Sequence, residues 1–227
     1  MVLRPGPRYA ALTQPPKQPT ESVPMADTDA PQLYLVTPPV FEADIFAPRL
    51  AAVLDARPVA CVRLALTSRD EAALIRAADA LRAETEPREV ALVIAEHTGL
   101  AARLGLDGVH LSHARGVREA RKALGPDAIV GAFAGASRHD GMGAAEAGAD
   151  YVSFGPCSGE GLGDGRIAER DLFAWWSEMI EIPVVAEGGL DAARIADLAP
   201  VADFLAFGEE IWSADDPAAR LAGLLDG

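Results

Sequence analysis

The chain is poor in lysine, cysteine and aromatic residues, and it lacks any long apolar run. Lysine occurs only at Lys17 and Lys122 in 227 residues, and 34 acidic side chains face 20 basic ones, a formal net charge of -14. A surface of that sign repels nucleic acid and anionic lipid unless a basic patch intervenes, and the sequence contains none. No uncharged apolar stretch approaches the roughly 20 residues of a membrane-spanning helix, so no membrane partner is expected. The two cysteines, Cys61 and Cys157, are too few and too far apart for a disulfide scaffold, which points to a reducing cytoplasm. Zinc-type Cys/His spacing, a Gly-x-Ser-x-Gly elbow and a Walker loop are also missing.

What remains is a composition suited to a packed core, 50% hydrophobic and 24% charged. The first 31 residues carry seven prolines and no apolar block. Residues 1–31 are therefore expected to form a disordered tail, with Met25 as an alternative start, and 32–227 a single domain. From Gln32 onward short apolar runs alternate with helix-like segments. The expected strands are Leu33–Thr37, Val59–Leu66, Val90–Ala95, Gly108–Leu111, Ile129–Phe133, Tyr151–Phe154, Val184–Ala186 and Phe204–Phe207. Most are continuously apolar, as parallel strands covered on both faces require. In Asp70–Glu84, Ala73, Leu74, Ala77, Ala78 and Leu81 share one helical face, with Ser68 or Asp70 as cap. Pro48 is expected near the first turn of the first helix, where a missing N–H costs nothing.

Eight strand–helix units of about 24 residues each suit a compact (β/α)8 TIM barrel. The alternative, a doubly wound open sheet, rarely needs eight units, and the first turn, Thr37-Pro38-Pro39, has no Gly-rich fingerprint. In a barrel, the chemistry belongs at the C-terminal strand ends.

Several segments resemble the thiamine phosphate synthase / thiazole tautomerase family. They are Leu33–Thr37, Leu106–Leu111, Gly148–Pro156, Ile182–Gly189 and Asp215–Pro217, in the family's order. The resemblance implies a transferase of thiamine biosynthesis. It joins a pyrimidine diphosphate to a thiazole phosphate, releases pyrophosphate and uses Mg2+. It also implies small phosphorylated substrates and leaves a homodimer open. On strand two, the family's Gln-x-Arg-x-Lys reads Cys61, Arg63 and Ala65, so the arginine is kept and the lysine lost. Asn-Asp after strand three reads Ala95-Glu96, which leaves Glu96 as the metal-ligand candidate. The carboxylate expected after strand four is replaced in Ser112-His113-Ala114-Arg115.

Arg63, Glu96 and His113 are thus the expected catalytic residues, and Gly188, Gly189, Gly208 and Ser158 the expected phosphate-binding set. Gly188-Gly189 is otherwise a tight turn. Buried Arg63 needs an anion, either a ligand or a carboxylate such as Glu96 or Glu187. His110 is expected in structural hydrogen bonding. Glu209 and Glu210, beside the expected phosphate cup, oppose phosphate, as does the loss of Thr and Lys from Cys157–Gly165. A second function therefore stands beside the first: an inactive or repurposed paralogue that binds another small ligand or a protein partner.

Overall fold

In the computed structural model, residues 30–159 and 162–227 are described. The expected tail, with Met25, and Glu160-Gly161 of the Cys157–Gly165 loop lie outside them, apart from Ala30 and Pro31.

Eight parallel strands close into one barrel in chain order. They are β1 (Gln32–Val36), β2 (Val59–Leu64), β3 (Ala91–Ala95), β4 (Gly108–Leu111), β5 (Ile129–Phe133), β6 (Tyr151–Phe154), β7 (Val184–Glu187) and β8 (Phe204–Phe207). The helices around them are α1 (Ala43–Ala56), α2 (Glu71–Thr85), α3 (Thr98–Leu104), α4 (Val117–Leu124), α5 (Arg138–Ala147), α6 (Arg170–Met179), α7 (Ala192–Leu198), α8 (Glu209–Trp212) and α9 (Pro217–Leu225). The fold is a single-domain (β/α)8 TIM barrel.

Continuous apolar strands feed two cores. Outward side chains such as Leu35, Leu64, Leu92, Phe154 and Phe207 pack under the helices. Inward ones, among them Tyr34, Cys61, Val93, Tyr151 and Phe204, fill the barrel. A Cβ on Gly131 would lie 2.0 Å from the Tyr151 ring, so the bare backbone of β5 is what admits that ring to the interior.

Strand boundaries fall within two residues of those expected. β2 stops at Leu64 because the Thr37 hydroxyl accepts the Ala65 N–H at 2.9 Å, taking it out of the ladder. In α2 the buried face is Leu74, Ala77, Ala78, Leu81 and Thr85, and Asp70 is the cap, accepting from the Ala72 N–H. Pro48 corrects an expectation. The helix starts at Ala43, so Pro48 lies inside α1, beyond the first turn. There its missing N–H removes the bond it would give to residue 44.

Among the described residues, no helix is long and apolar enough to cross a membrane.

Candidate active site

Among the described residues, separate hollows open at the C-terminal ends of the strands, three of which contain the expected site residues. The first, about 420 Å3, is lined by Arg63, Ser158, Gly188, Gly189, Gly208 and the carboxylates of Glu187, Glu209 and Glu210. The second, about 250 Å3, holds His113, Arg115, Asp140, Asp164 and Arg166. The third, about 720 Å3, is a groove containing Arg69, Glu96, His97 and Arg103. A further hollow of about 690 Å3 opens near the N-terminal strand ends, lined by Gln32, Arg57, Val59 and Leu225. It lies away from all the expected site residues.

All four expected phosphate-binding residues share the first hollow, together with Arg63. The three expected catalytic residues do not meet: Arg63, Glu96 and His113 line three different hollows.

Arg63 projects from β2 into the barrel and is 8% exposed. Its Nη2 lies 2.9 Å from Oε2 of Glu187 on β7. Of the anions open to it, it has taken a structural carboxylate. Glu187 is 3% exposed, and its Oε2 has no hydrogen bond of good geometry, so charge alone holds that oxygen to the guanidinium. Burial, the largest single effect, pulls the Arg63 pKa down, but Glu187, Tyr34 and Tyr151 together raise it on balance and the guanidinium stays charged. Arg63 also stands over the Tyr34 ring, 5.8 Å from its centroid.

Below this pair a buried polar chain crosses the interior. The Tyr34 and Tyr151 hydroxyls are 2.7 Å apart, and His110 Nδ1 is 2.9 Å from the Tyr151 hydroxyl. Burial raises both tyrosine pKa values well above the ordinary range. Burial first, and then the Arg63 charge, lowers that of His110. The chain is neutral near pH 7, and His110 is held in hydrogen bonding as expected. Cys157 is wholly buried, and burial, with Glu187 next, pushes its thiol up to about 12. A protonated, enclosed sulfur is a poor nucleophile.

The loops after β7 and β8 form the cup. Gly188 and Gly189 both have positive φ, at 83° and 72°. A Cβ on Gly189 would lie 2.2 Å from the Ser158 carbonyl oxygen, so only glycine lets the two loops approach. The Ser158 hydroxyl donates to the Gly189 carbonyl. The cup's N–H groups converge on one acceptor, the carboxylate of Glu210. Oε1 accepts from Gly189 at 2.7 Å and from Leu190 at 3.4 Å, while Oε2 accepts from Gly208 at 2.8 Å. The sequence showed Glu210 only as an unwelcome anion. Its position two residues after Gly208, the glycine that follows β8, was the available signal.

Glu96 sits at φ 65°, a left-handed conformation costly for a residue with a Cβ, and its Oε1 accepts the Ser112 N–H. Mg2+ takes hard oxygens, usually one or two carboxylates together with substrate phosphates. Among the described residues no three His, Cys, Asp or Glu side chains gather to hold a metal. The lone Glu96 carboxylate, half engaged by backbone, does not fit a resident Mg2+. In the second hollow Arg166 pairs with Asp164 at 2.7 Å. Arg115 has no ion-pair partner among the described residues.

Fold and site together define a (β/α)8 protein with an anion cup built by the last two strand–helix loops. A family model described as thiamine monophosphate synthase matches residues 33–211. The thiamine-phosphate synthase of Rhodospirillum centenum is 43% identical over 198 residues, spanning 86% of this chain and 95% of its own length. That of Erythrobacter litoralis is 39% identical over 203 residues, with the same coverage of each chain. The solved thiamine phosphate pyrophosphorylase from Pyrococcus furiosus superposes with a TM-score of 0.73 at 21% identity, over 86% of this chain and 95% of its own, a likeness of fold. The chain belongs to the thiamine monophosphate synthase family.

Proposed function

We propose that this protein joins a pyrimidine diphosphate to a thiazole phosphate, working in the cytoplasm as a thiamine phosphate synthase. The observation that carries the reading is the cup. Three backbone N–H groups from two loops already hold one anion, so the loops are arranged for anionic oxygens. The thiazole phosphate enters there, against Gly189, Leu190 and Gly208, with Ser158 fixing the Gly189 loop. The diphosphate lies toward Arg115 and Arg166, the cations of the adjoining hollow. On transfer, the carbon–oxygen bond to the diphosphate breaks, its electron pair leaving on pyrophosphate, and the lone pair of the thiazole nitrogen forms the new carbon–nitrogen bond. Cations beside that leaving group stabilise the charge that develops. The buried Tyr34–Tyr151–His110 chain forms a closed, uncharged floor that keeps water out from below.

One observation favours a second reading, a repurposed paralogue. In the first hollow, one guanidinium faces three carboxylates. Such a lining suits a less anionic ligand better than a phosphate.

The deciding experiment supplies purified protein with both substrates and Mg2+ and follows pyrophosphate release. The expected result is turnover that depends on both substrates and falls at least about tenfold in Arg115→Ala. No turnover, with no heat of binding for either substrate at millimolar concentration, leaves the paralogue reading standing.

A further inference from the structure

The geometry points to Glu210 as an internal competitor for the acceptor's phosphate, a residue that sets how tightly this protein takes a phosphorylated acceptor over its unphosphorylated counterpart. The inference rests on reading the cup as the acceptor-phosphate site.

The carboxylate spans the cup as two oxygens of a phosphate would, one on the Gly189–Leu190 loop and one on Gly208. Both anions need the same donors, and two like charges in contact repel strongly. Either Glu210 or the phosphate occupies the cup, not both.

Glu210 is built to leave. Its side chain is held by neutral N–H groups only, with no cation in ion-pair range among the described residues. Glu209, lining the same hollow, carries like charge, while the charge of Glu187 is taken up by Arg63. Glu210 is half-buried, so its side chain can rotate into solvent. Its backbone stays pinned meanwhile, since its carbonyl accepts from Arg220 Nε at 3.3 Å.

The cup does not need Glu210 to keep its shape. The Cys157 N–H donates to the Gly188 carbonyl at 2.7 Å, and the Ser158 hydroxyl to the Gly189 carbonyl. On the other side, Trp212 Nε1 donates to the Val36 carbonyl at 2.7 Å, which anchors the turn after Gly208. The observed affinity for phosphate is then the intrinsic affinity reduced by the fraction of molecules whose cup is open.

The test titrates inorganic phosphate, and then the phosphorylated acceptor, into wild type, Glu210→Ser and Glu210→Gln by calorimetry, with thermal melts and steady-state kinetics on each. Both variants are expected to bind inorganic phosphate at least about tenfold more tightly. Acceptor KM should fall by a similar factor, and discrimination against the unphosphorylated acceptor should rise. A residue that merely latches two loops would instead lower the melting temperature and leave phosphate binding equal or weaker; that result overturns the proposal. Failure of both variants to fold also overturns it, because a group the fold cannot spare is not displaceable. If the variants gain phosphate affinity while no form releases pyrophosphate, the competitor stands and the synthase reading falls.

Discussion

At the scale of single residues, the barrel interior is where charge is decided. An isolated buried guanidinium is costly, and removing one partner of a buried ion pair typically costs about 3–5 kcal/mol. Arg63 and Glu187 therefore hold each other as much as any ligand, which limits the free positive charge of the mouth. Beneath them, His110 makes stability depend on pH. Its pKa is lowered in the folded protein, by burial first and by Arg63 second, relative to about 6.5 when unfolded. A depressed pKa means that the unfolded chain binds the proton more readily. The contribution of neutral His110 is therefore complete above about pH 6.5 and is lost as pH falls from there toward the folded-state value, at up to about 1.4 kcal/mol per pH unit. Replacing it by glutamine keeps an acceptor for the Tyr151 hydroxyl and removes the titration. Urea unfolding between pH 7.5 and 5 should show a shallower decline in His110→Gln than in wild type. Parallel declines would mean that His110 does not carry this sensitivity.

Elements are tied together by a device that recurs at alternate strands. Asp107, Asp150 and Asp203 each stand just before an even-numbered strand. Each accepts with Oδ2 from the first or second N–H of the strand before it, at Leu92, Val130 and Val184, at 2.7–2.8 Å. Each also donates its own N–H to the carbonyl of the same residue. A strand entrance has no preceding turn to satisfy its N–H, and the aspartate supplies that partner. Asp203→Ala leaves the Val184 N–H without it and should cost about 1–3 kcal/mol in chemical denaturation. Phosphate affinity should be untouched, because the change lies at the opposite end of β7 and β8 from the cup; a loss of phosphate binding would refute that separation. The same distinction explains what was legible in the sequence. Strands such as Ile129–Phe133 and Phe204–Phe207 could be located to the residue because burial on both faces leaves an unbroken apolar run. Side-chain directions beyond the strand ends were not legible, since loop dihedrals set them. Glu96, turned by its positive φ toward Ser112, left the hollow that Arg63 lines. The grouping of Ser158, Gly188, Gly189 and Gly208 followed from the family resemblance and from barrel order, which sets the ends of strands six to eight side by side. The use of Glu210 as their acceptor depended on the turn after β8, whose N-cap, Gly208, lies at φ -127° and ψ -109°.

For the whole molecule, the formal charge of -14 and the carboxylate-rich mouth give the approach of a phosphorylated ligand an unusual dependence on salt. A phosphate site ringed by cations attracts its ligand from a distance, and added salt slows association. Here the long-range field repels, and attraction begins only at the N–H cup and the Arg115–Arg166 hollow. The screening length shrinks from about 30 Å at 0.01 M ionic strength to about 8 Å at 0.15 M. At the lower ionic strength the ligand therefore feels the repulsion of most of the molecule, and at the higher only that of the mouth. Stopped-flow association of the pyrimidine diphosphate should accelerate, by about two- to fivefold, as sodium chloride is raised across that interval. A rate that falls with salt would mean that cations near the mouth dominate the field, and Arg115 and Arg166 would then be the first residues to neutralise.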